Sequence, residues 1–80
     1  MDTEAALRRL LVDELGFDAS TPPPGDFPLL ENGLLDSLGV FKLIGLIEES
    51  WELTIDDDAL IPENFATIDA ITKLVEAHLT

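Results

Sequence analysis

The stretch Leu34-Leu35-Asp36-Ser37-Leu38-Gly39 decides the fold, because it joins a proline-containing loop to a long apolar segment. Aspartate is a preferred N-cap residue, so Asp36 predicts a helix that begins at Ser37. Ser37 then lies in the first turn, with its hydroxyl facing solvent at the positive end of the helix dipole. The surrounding sequence offers that hydroxyl no general base. This pattern indicates a serine that is modified, not one that attacks a substrate.

The predicted helix covers residues 37–50 and has two distinct faces. Apolar residues at helical spacing form its core stripe: Val40, Leu43, Ile44, Ile47 and Trp51. The opposite, outward row consists of Leu38, Lys42, Gly45 and Glu49. A glycine inside a helix costs about 1 kcal/mol relative to alanine. Gly45 is therefore either tolerated on a surface helix or marks a place where a partner approaches closely.

Two further helices flank this one. The first is predicted over Thr3–Leu15, with Arg8 and Arg9 on the solvent side and Gly16 as its C-terminal stop. Its apolar face consists of Leu7, Leu10, Leu11 and Leu15. The last is predicted over residues 68–78, with Thr67 as its cap. Its apolar face consists of Ile68, Ile71, Leu74, Val75 and Leu79.

The connections between these helices are irregular. Residues 17–36 contain Thr21-Pro22-Pro23-Pro24-Gly25, which cannot lie inside a helix. Their apolar residues predict a loop that packs across the core. Asp56-Asp57-Asp58 predicts a short helical turn ending before Pro62, and it lacks the glycine and glutamate of a calcium loop. We therefore predict no metal site there.

These elements predict an all-α fold, a small bundle of three main helices and one short one. No alternating β-branched run indicates a sheet. The chain has 80 residues, which corresponds to one domain spanning residues 1–80.

Charge and composition narrow the classes of partner. Seventeen acidic residues against four basic ones give a formal net charge of −13, which repels nucleic acids and anionic membranes. We expect basic protein partners and salt-dependent association. The N-terminal residues are acidic, and no apolar run is long enough to span a membrane, so we expect a cytoplasmic protein.

Catalysis by Ser37 finds no support in the sequence. The chain has no cysteine and one histidine, His78, which is interpreted as a favourable charge near a helix C-terminus. The glycine-flanked serine elbow of hydrolases is absent from the sequence. From the residues alone, Ser37 is either an attachment point for a phosphate-linked group or merely the first residue of a helix.

Residues 30–39, from Leu30 to Gly39, resemble the modification site of acyl carrier and peptidyl carrier proteins. Trp51-Glu52-Leu53-Thr54-Ile55 resembles that family's exit from its second helix. Residues 62–68 resemble the stretch that leads into its last helix. Helix order, size, acidity and the long first loop also agree with the family.

The resemblance implies a four-helix bundle of acyl-carrier type, in which Ser37 carries a covalent 4′-phosphopantetheine. A separate magnesium-using transferase would take this arm from coenzyme A, assisted by Asp36. The second helix would recognise partners, which makes Leu38, Lys42, Gly45 and Glu49 the expected contacts. The chain would be a monomeric, non-catalytic carrier that holds its cargo as a thioester. Its partners would be the phosphopantetheinyl transferase, an acyl- or aminoacyl-activating ligase and downstream transferase or synthase enzymes.

Several positions depart from the pattern of fatty-acid carriers. Gly39 stands where those carriers usually have an acid, and Lys42 and Gly45 make the recognition helix less acidic. Leu34-Leu35 replaces the glycines usual in peptidyl carriers. The pattern is closer to free-standing aminoacyl or specialised acyl carriers, and predicts polyketide- or nonribosomal-peptide-type biosynthesis. The alternatives are an acidic helical interaction module without a functional arm and a housekeeping fatty-acid carrier.

Overall fold

The computed structural model describes residues 2–79, and all regular structure in that range is helical. Three α-helices are present: α1 (Thr3–Leu15), α2 (Ser37–Trp51) and α3 (Ile68–Leu79). Two short 3-10 turns, Asp57–Ala59 and Pro62–Phe65, lie between α2 and α3. The prediction of a small all-α bundle is confirmed. Where the sequence predicts one short turn between α2 and α3, the structure has two.

The helix ends follow local capping chemistry. The Asp36 carboxylate accepts a hydrogen bond from the Gly39 N–H (2.8 Å), so the predicted cap of α2 is confirmed. The Thr67 hydroxyl oxygen accepts from the Ala70 N–H (3.0 Å) in the same way at the start of α3. Gly16 ends α1 in the left-handed region, with φ of 77°.

All three helices contribute to one core. α1 packs against both α2 and α3. The buried apolar side chains of the helices are Leu7, Leu11, Leu43, Ile47, Ile68, Ile71, Leu74 and Val75. Val40, Ile44 and Trp51 are half-buried and pack against this core. The assignment of Leu79 to the apolar face is wrong, because Leu79 lies exposed on the last turn of α3.

The long loop completes this core, as predicted. Leu29 and Leu35 are both buried, with 0% and 2% of their surface exposed. The Leu29 N–H donates to the Ala66 carbonyl (2.8 Å), and the Leu29 carbonyl accepts from the N–H groups of Leu34 (3.0 Å) and Leu35 (3.2 Å). Gly33, with φ of 74°, makes the turn that brings these groups back to Leu29.

Polar contacts hold the proline-rich part of the loop in place. Arg8 donates from Nε to Glu4 (2.9 Å) and from Nη1 to the Pro23 carbonyl (2.7 Å). The expectation that Arg8 faces solvent is therefore wrong, because its guanidinium ties the loop to α1. The Ser20 N–H and the Thr21 hydroxyl both donate to Asp18, and these hydrogen bonds lower the pKa of that carboxyl.

Two leucines of α2 test the placement of its faces. Leu43→Ala should lower the free energy of unfolding by about 2–5 kcal/mol, because it opens a cavity at a fully buried position. Leu38→Ala should change it by less than about 0.5 kcal/mol, because the Leu38 side chain is 79% exposed. Urea unfolding of both variants measures the difference. A loss at Leu38 as large as that at Leu43 would contradict this orientation of α2.

The residue that caps the C-terminus of α2 offers a second test. Glu52 adopts φ of 51°, and the left-handed region disfavours a side-chain-bearing residue by about 1–2 kcal/mol. Glu52→Gly should therefore stabilise the fold by about 0.5–1 kcal/mol, since the greater freedom of unfolded glycine offsets part of the gain. Glu49→Gly, inside the same helix, should destabilise it by about 0.5–1 kcal/mol. Thermal melts of the two variants should shift in opposite directions.

Candidate functional site

Ser37 is the first residue of α2, and its side chain is exposed. Within residues 2–79, no group forms a hydrogen bond with the Ser37 hydroxyl. The first turn of a helix presents backbone N–H groups and the positive end of the dipole. The structure thus places a free hydroxyl where an attached anionic group would be stabilised.

Asp36 has a structural role beside Ser37. Its backbone is extended (φ −113°, ψ −178°), and its carboxylate Oδ1 accepts from the Gly39 N–H. Its carbonyl accepts the first intrahelical bond, from Val40 (2.8 Å). Asp36 therefore holds the start of α2 in position. The prediction that it also assists modification of Ser37 stays a prediction.

The outward row of α2 has the exposure that the sequence predicts. All four of its members are exposed: Leu38, Lys42, Gly45 and Glu49. The pattern missed a fifth member, Phe41, whose side chain is 73% exposed. Phe41 lies three residues after Leu38 and four before Gly45, so helical spacing alone could have placed it in this row.

An apolar groove of about 300 Å³ begins at Ser37 and runs along α2. Apart from the serine, its lining is entirely apolar: Leu30, Val40, Phe41, Ile44, Leu60, Ile61, Pro62 and Phe65. The second 3-10 turn, which supplies Pro62 and Phe65, forms the wall opposite α2. A flexible group attached to Ser37 would therefore find an apolar surface next to its point of attachment.

A larger hollow, of about 560 Å³, lies between α1 and the end of α2. Asp2, Arg9 and Asp13 line it together with Ser50 and Trp51, so its character is mixed and partly charged. Trp51 is the last residue of α2, whereas Ser37 is the first. The hollow is therefore at the opposite end of the helix, and the groove beside Ser37 is the better candidate site despite its smaller volume.

The two glycines of α2 have different surroundings. A Cβ atom built on Gly39 would lie 3.1 Å from Leu35 Cδ1 and 3.3 Å from Asp36 Oδ1, closer than ordinary van der Waals contact. A Cβ atom built on Gly45 would meet nothing within 4 Å. The close packing of Leu35 and Asp36 therefore explains why a glycine stands at position 39, whatever the pathway of the protein. Packing in the described part of the chain gives Gly45 no such reason.

His78 is engaged by the fold. The Asp56 N–H donates to His78 Nε2 (3.2 Å), and His78 Nδ1 lies 2.9 Å from the Leu74 carbonyl oxygen. A carbonyl oxygen can only accept, so Nδ1 is the donor in the contact with Leu74. His78 lies in the last turn of α3, as the sequence predicts, and its Nε2 is also 3.7 Å from an oxygen of the Asp56 carboxylate. Its ring ties α3 to the segment that follows α2.

Within residues 2–79, no group of three or more histidine and acidic side chains is arranged to hold a metal ion. No helix in this range combines the length and apolar character needed to cross a membrane.

The two glycines should respond differently to alanine. Gly45→Ala should raise the free energy of unfolding by about 1 kcal/mol, because alanine is the better helix former and its methyl group has open space. Gly39→Ala should gain less or lose stability, because its methyl group would press on Leu35. Denaturant unfolding of both variants checks this. An equal gain at the two positions would show that the contact around Gly39 carries no cost.

No protein-family model matches this chain, and no curated protein is significantly similar to it.

Proposed function

We propose that this protein is a discrete carrier of acyl or aminoacyl groups, modified on Ser37 with 4′-phosphopantetheine. The observation that carries the proposal is the free, exposed Ser37 hydroxyl at the N-terminus of a 15-residue helix. The resemblance of residues 30–39 to carrier modification sites supports it. In this proposal the fold is a four-helix bundle of acyl-carrier type, and one of the 3-10 turns takes the place of its short helix.

The attachment step requires little of the chain beyond an accessible oxygen. The Ser37 Oγ would bond to the phosphorus of coenzyme A that bears the pantetheine, while the pyrophosphate P–O bond breaks. Adenosine 3′,5′-bisphosphate leaves, and the hydroxyl proton passes to the transferase. The resulting phosphodiester is anionic and would lie at the positive end of α2, where such a charge is stabilised.

The apolar groove supports the same function. When bound, the arm supplies a terminal thiol that holds a carboxylic acid as a thioester. Because the groove starts at Ser37 and is lined by aliphatic and aromatic side chains, it gives the apolar part of the arm or cargo a surface to lie on. Polyketide- or nonribosomal-peptide-type biosynthesis remains our proposal for the pathway. Because packing explains Gly39, that residue no longer supports the proposed pathway. Lys42 and Gly45 still support it.

Hydrolysis at Ser37 has no comparable support. A serine nucleophile needs a general base within hydrogen-bond reach and a stabiliser for the oxyanion. The single histidine of the chain is held by Leu74 and Asp56. Among residues 2–79, no group forms a hydrogen bond with the Ser37 hydroxyl.

A second candidate function is an interaction module that does not use an arm. The exposure of Leu38 and Phe41 on one helix favours it, because such side chains are typical of protein contacts. In that case Asp36 and Ser37 would only begin α2. Partner binding would then be unchanged by Ser37→Ala.

The intact mass of the purified protein tests the proposal. After incubation with coenzyme A, magnesium and a broad-specificity phosphopantetheinyl transferase, we expect a gain of one phosphopantetheine. Ser37→Ala should gain nothing, whereas Ser50→Ala, at the other end of α2, should gain as much as the wild type. A folded wild-type chain that gains no mass would refute the proposal, as would full modification of Ser37→Ala.

A further inference from the structure

The hollow between α1 and the end of α2 offers room for a ligand away from Ser37. Its volume of about 560 Å³ lies within the range of about 300–1,000 Å³ that is typical of ligand pockets. Small side chains keep it open, since Ala5 and Ala6 line it from α1 and Ser50 lines it from α2. Trp51, which is only half-buried, lines the same hollow. A ligand in the hollow would therefore contact the indole.

The charges around the hollow favour a cation. Asp2 and Asp13 line it from α1. The helix α2 ends here without a basic residue in its last turn, so the negative end of its dipole is not compensated. Between Lys42 and Lys73 the sequence contains no lysine or arginine. A positively charged ligand would therefore be attracted to this end of α2.

Asp13 gives the hollow a carboxylate without a partner in the described part of the chain. Arg9 and Asp13 are four residues apart on α1, a spacing that allows an ion pair. Within residues 2–79, however, neither side chain forms an ion pair or a hydrogen bond, whereas Arg8 pairs with Glu4. The Asp13 carboxylate is thus available to a ligand. Arg9 is the one basic residue among the described residues that line the hollow, and its charge would oppose the entry of another cation.

We propose that this hollow is a docking site for an arginine side chain of a basic protein partner, with the guanidinium against Trp51 and paired with Asp13. A guanidinium stacks on aromatic rings and donates two parallel hydrogen bonds to a carboxylate, whereas a lysine ammonium is a compact point charge. An aromatic side chain and a free carboxylate in one hollow therefore favour arginine over lysine. The apolar stem of the arginine would cover the methyl groups of Ala5 and Ala6.

This site goes beyond the proposed function, because it involves neither Ser37 nor the arm. The hollow lies at the C-terminal end of α2, and Ser37 begins the same helix. An arginine docked in the hollow leaves the Ser37 hydroxyl and the groove beside it uncovered. Binding at the hollow and modification of Ser37 are therefore separate events that can be measured separately.

The test is a titration of the unmodified protein, followed by the fluorescence of Trp51, the single tryptophan of the chain. The probe is an acetylated and amidated pentapeptide with two arginines, and the comparison is the same peptide with two lysines. The salt concentration is about 0.1 M, where the Debye length of about 10 Å screens distant charges. The arginine peptide should change the fluorescence to saturation, with a Kd at least about threefold lower than that of the lysine peptide.

Two pairs of variants separate the hollow from the charge of the whole chain. Asp13→Asn should raise the Kd of the arginine peptide about threefold or more. Asp57→Asn, in the first 3-10 turn, should change it by less than about 1.5-fold. Arg9→Ala should lower the Kd about twofold, whereas Lys73→Ala, on α3, should leave it nearly unchanged. The two members of a pair remove the same charge, so a difference between them comes from position.

The opposite results would overturn the inference. Equal Kd values for the two peptides, or equal effects of Asp13→Asn and Asp57→Asn, would show a general attraction to an acidic chain. Binding that calorimetry detects without a change in Trp51 fluorescence would place the peptide elsewhere. The absence of binding to protein that is folded by circular dichroism also overturns the inference. None of these results bears on the proposed function, which the intact mass after incubation with coenzyme A decides.

Discussion

Burial of Leu29 is the constraint on which the other parts of the structure depend. A chain of 80 residues has a thin core, and buried residues of the connecting segments complete what three short helices leave open. Leu29 of the first loop is fully buried, while its N–H and carbonyl groups bond to Ala66, Leu34 and Leu35. Because the same residue supplies the packing and the hydrogen bonds, Leu29 holds the loop between α1 and α2 in one conformation. The start of α3 and the start of α2 are both positioned by it.

The candidate site follows from this arrangement at the start of α2. Leu35 points into the core, and Asp36 turns back to cap the helix, so Ser37 is left outside. Nothing in the described chain competes for the serine hydroxyl. Gly39 completes the arrangement, because a side chain there would press on both Leu35 and Asp36. The exposure of Ser37 is thus a result of how its neighbours are packed.

Local signals made most of the fold predictable from the sequence. The bounds of α1, the caps Asp36 and Thr67, and the buried loop follow from capping chemistry and apolar spacing. Helical spacing is also consistent with the exposure of Phe41, but the engagement of Arg8 and the groove beside Ile44 could not be predicted in this way. They depend on how the loop and the 3-10 turns lie against the helices, and helical periodicity carries no information about such non-local packing. The contact between His78 and Asp56 is non-local for the same reason.

Trp51 gives the molecule a built-in optical reporter. The chain has one tryptophan and no tyrosine, so its near-ultraviolet absorption and emission come essentially from one indole. That indole is half-buried at the end of α2, beside α1. At a rise of about 1.5 Å per residue it is about 20 Å along the helix from Ser37. Its fluorescence therefore reports the packing of α1 on α2 and is largely insensitive to what is attached at the other end.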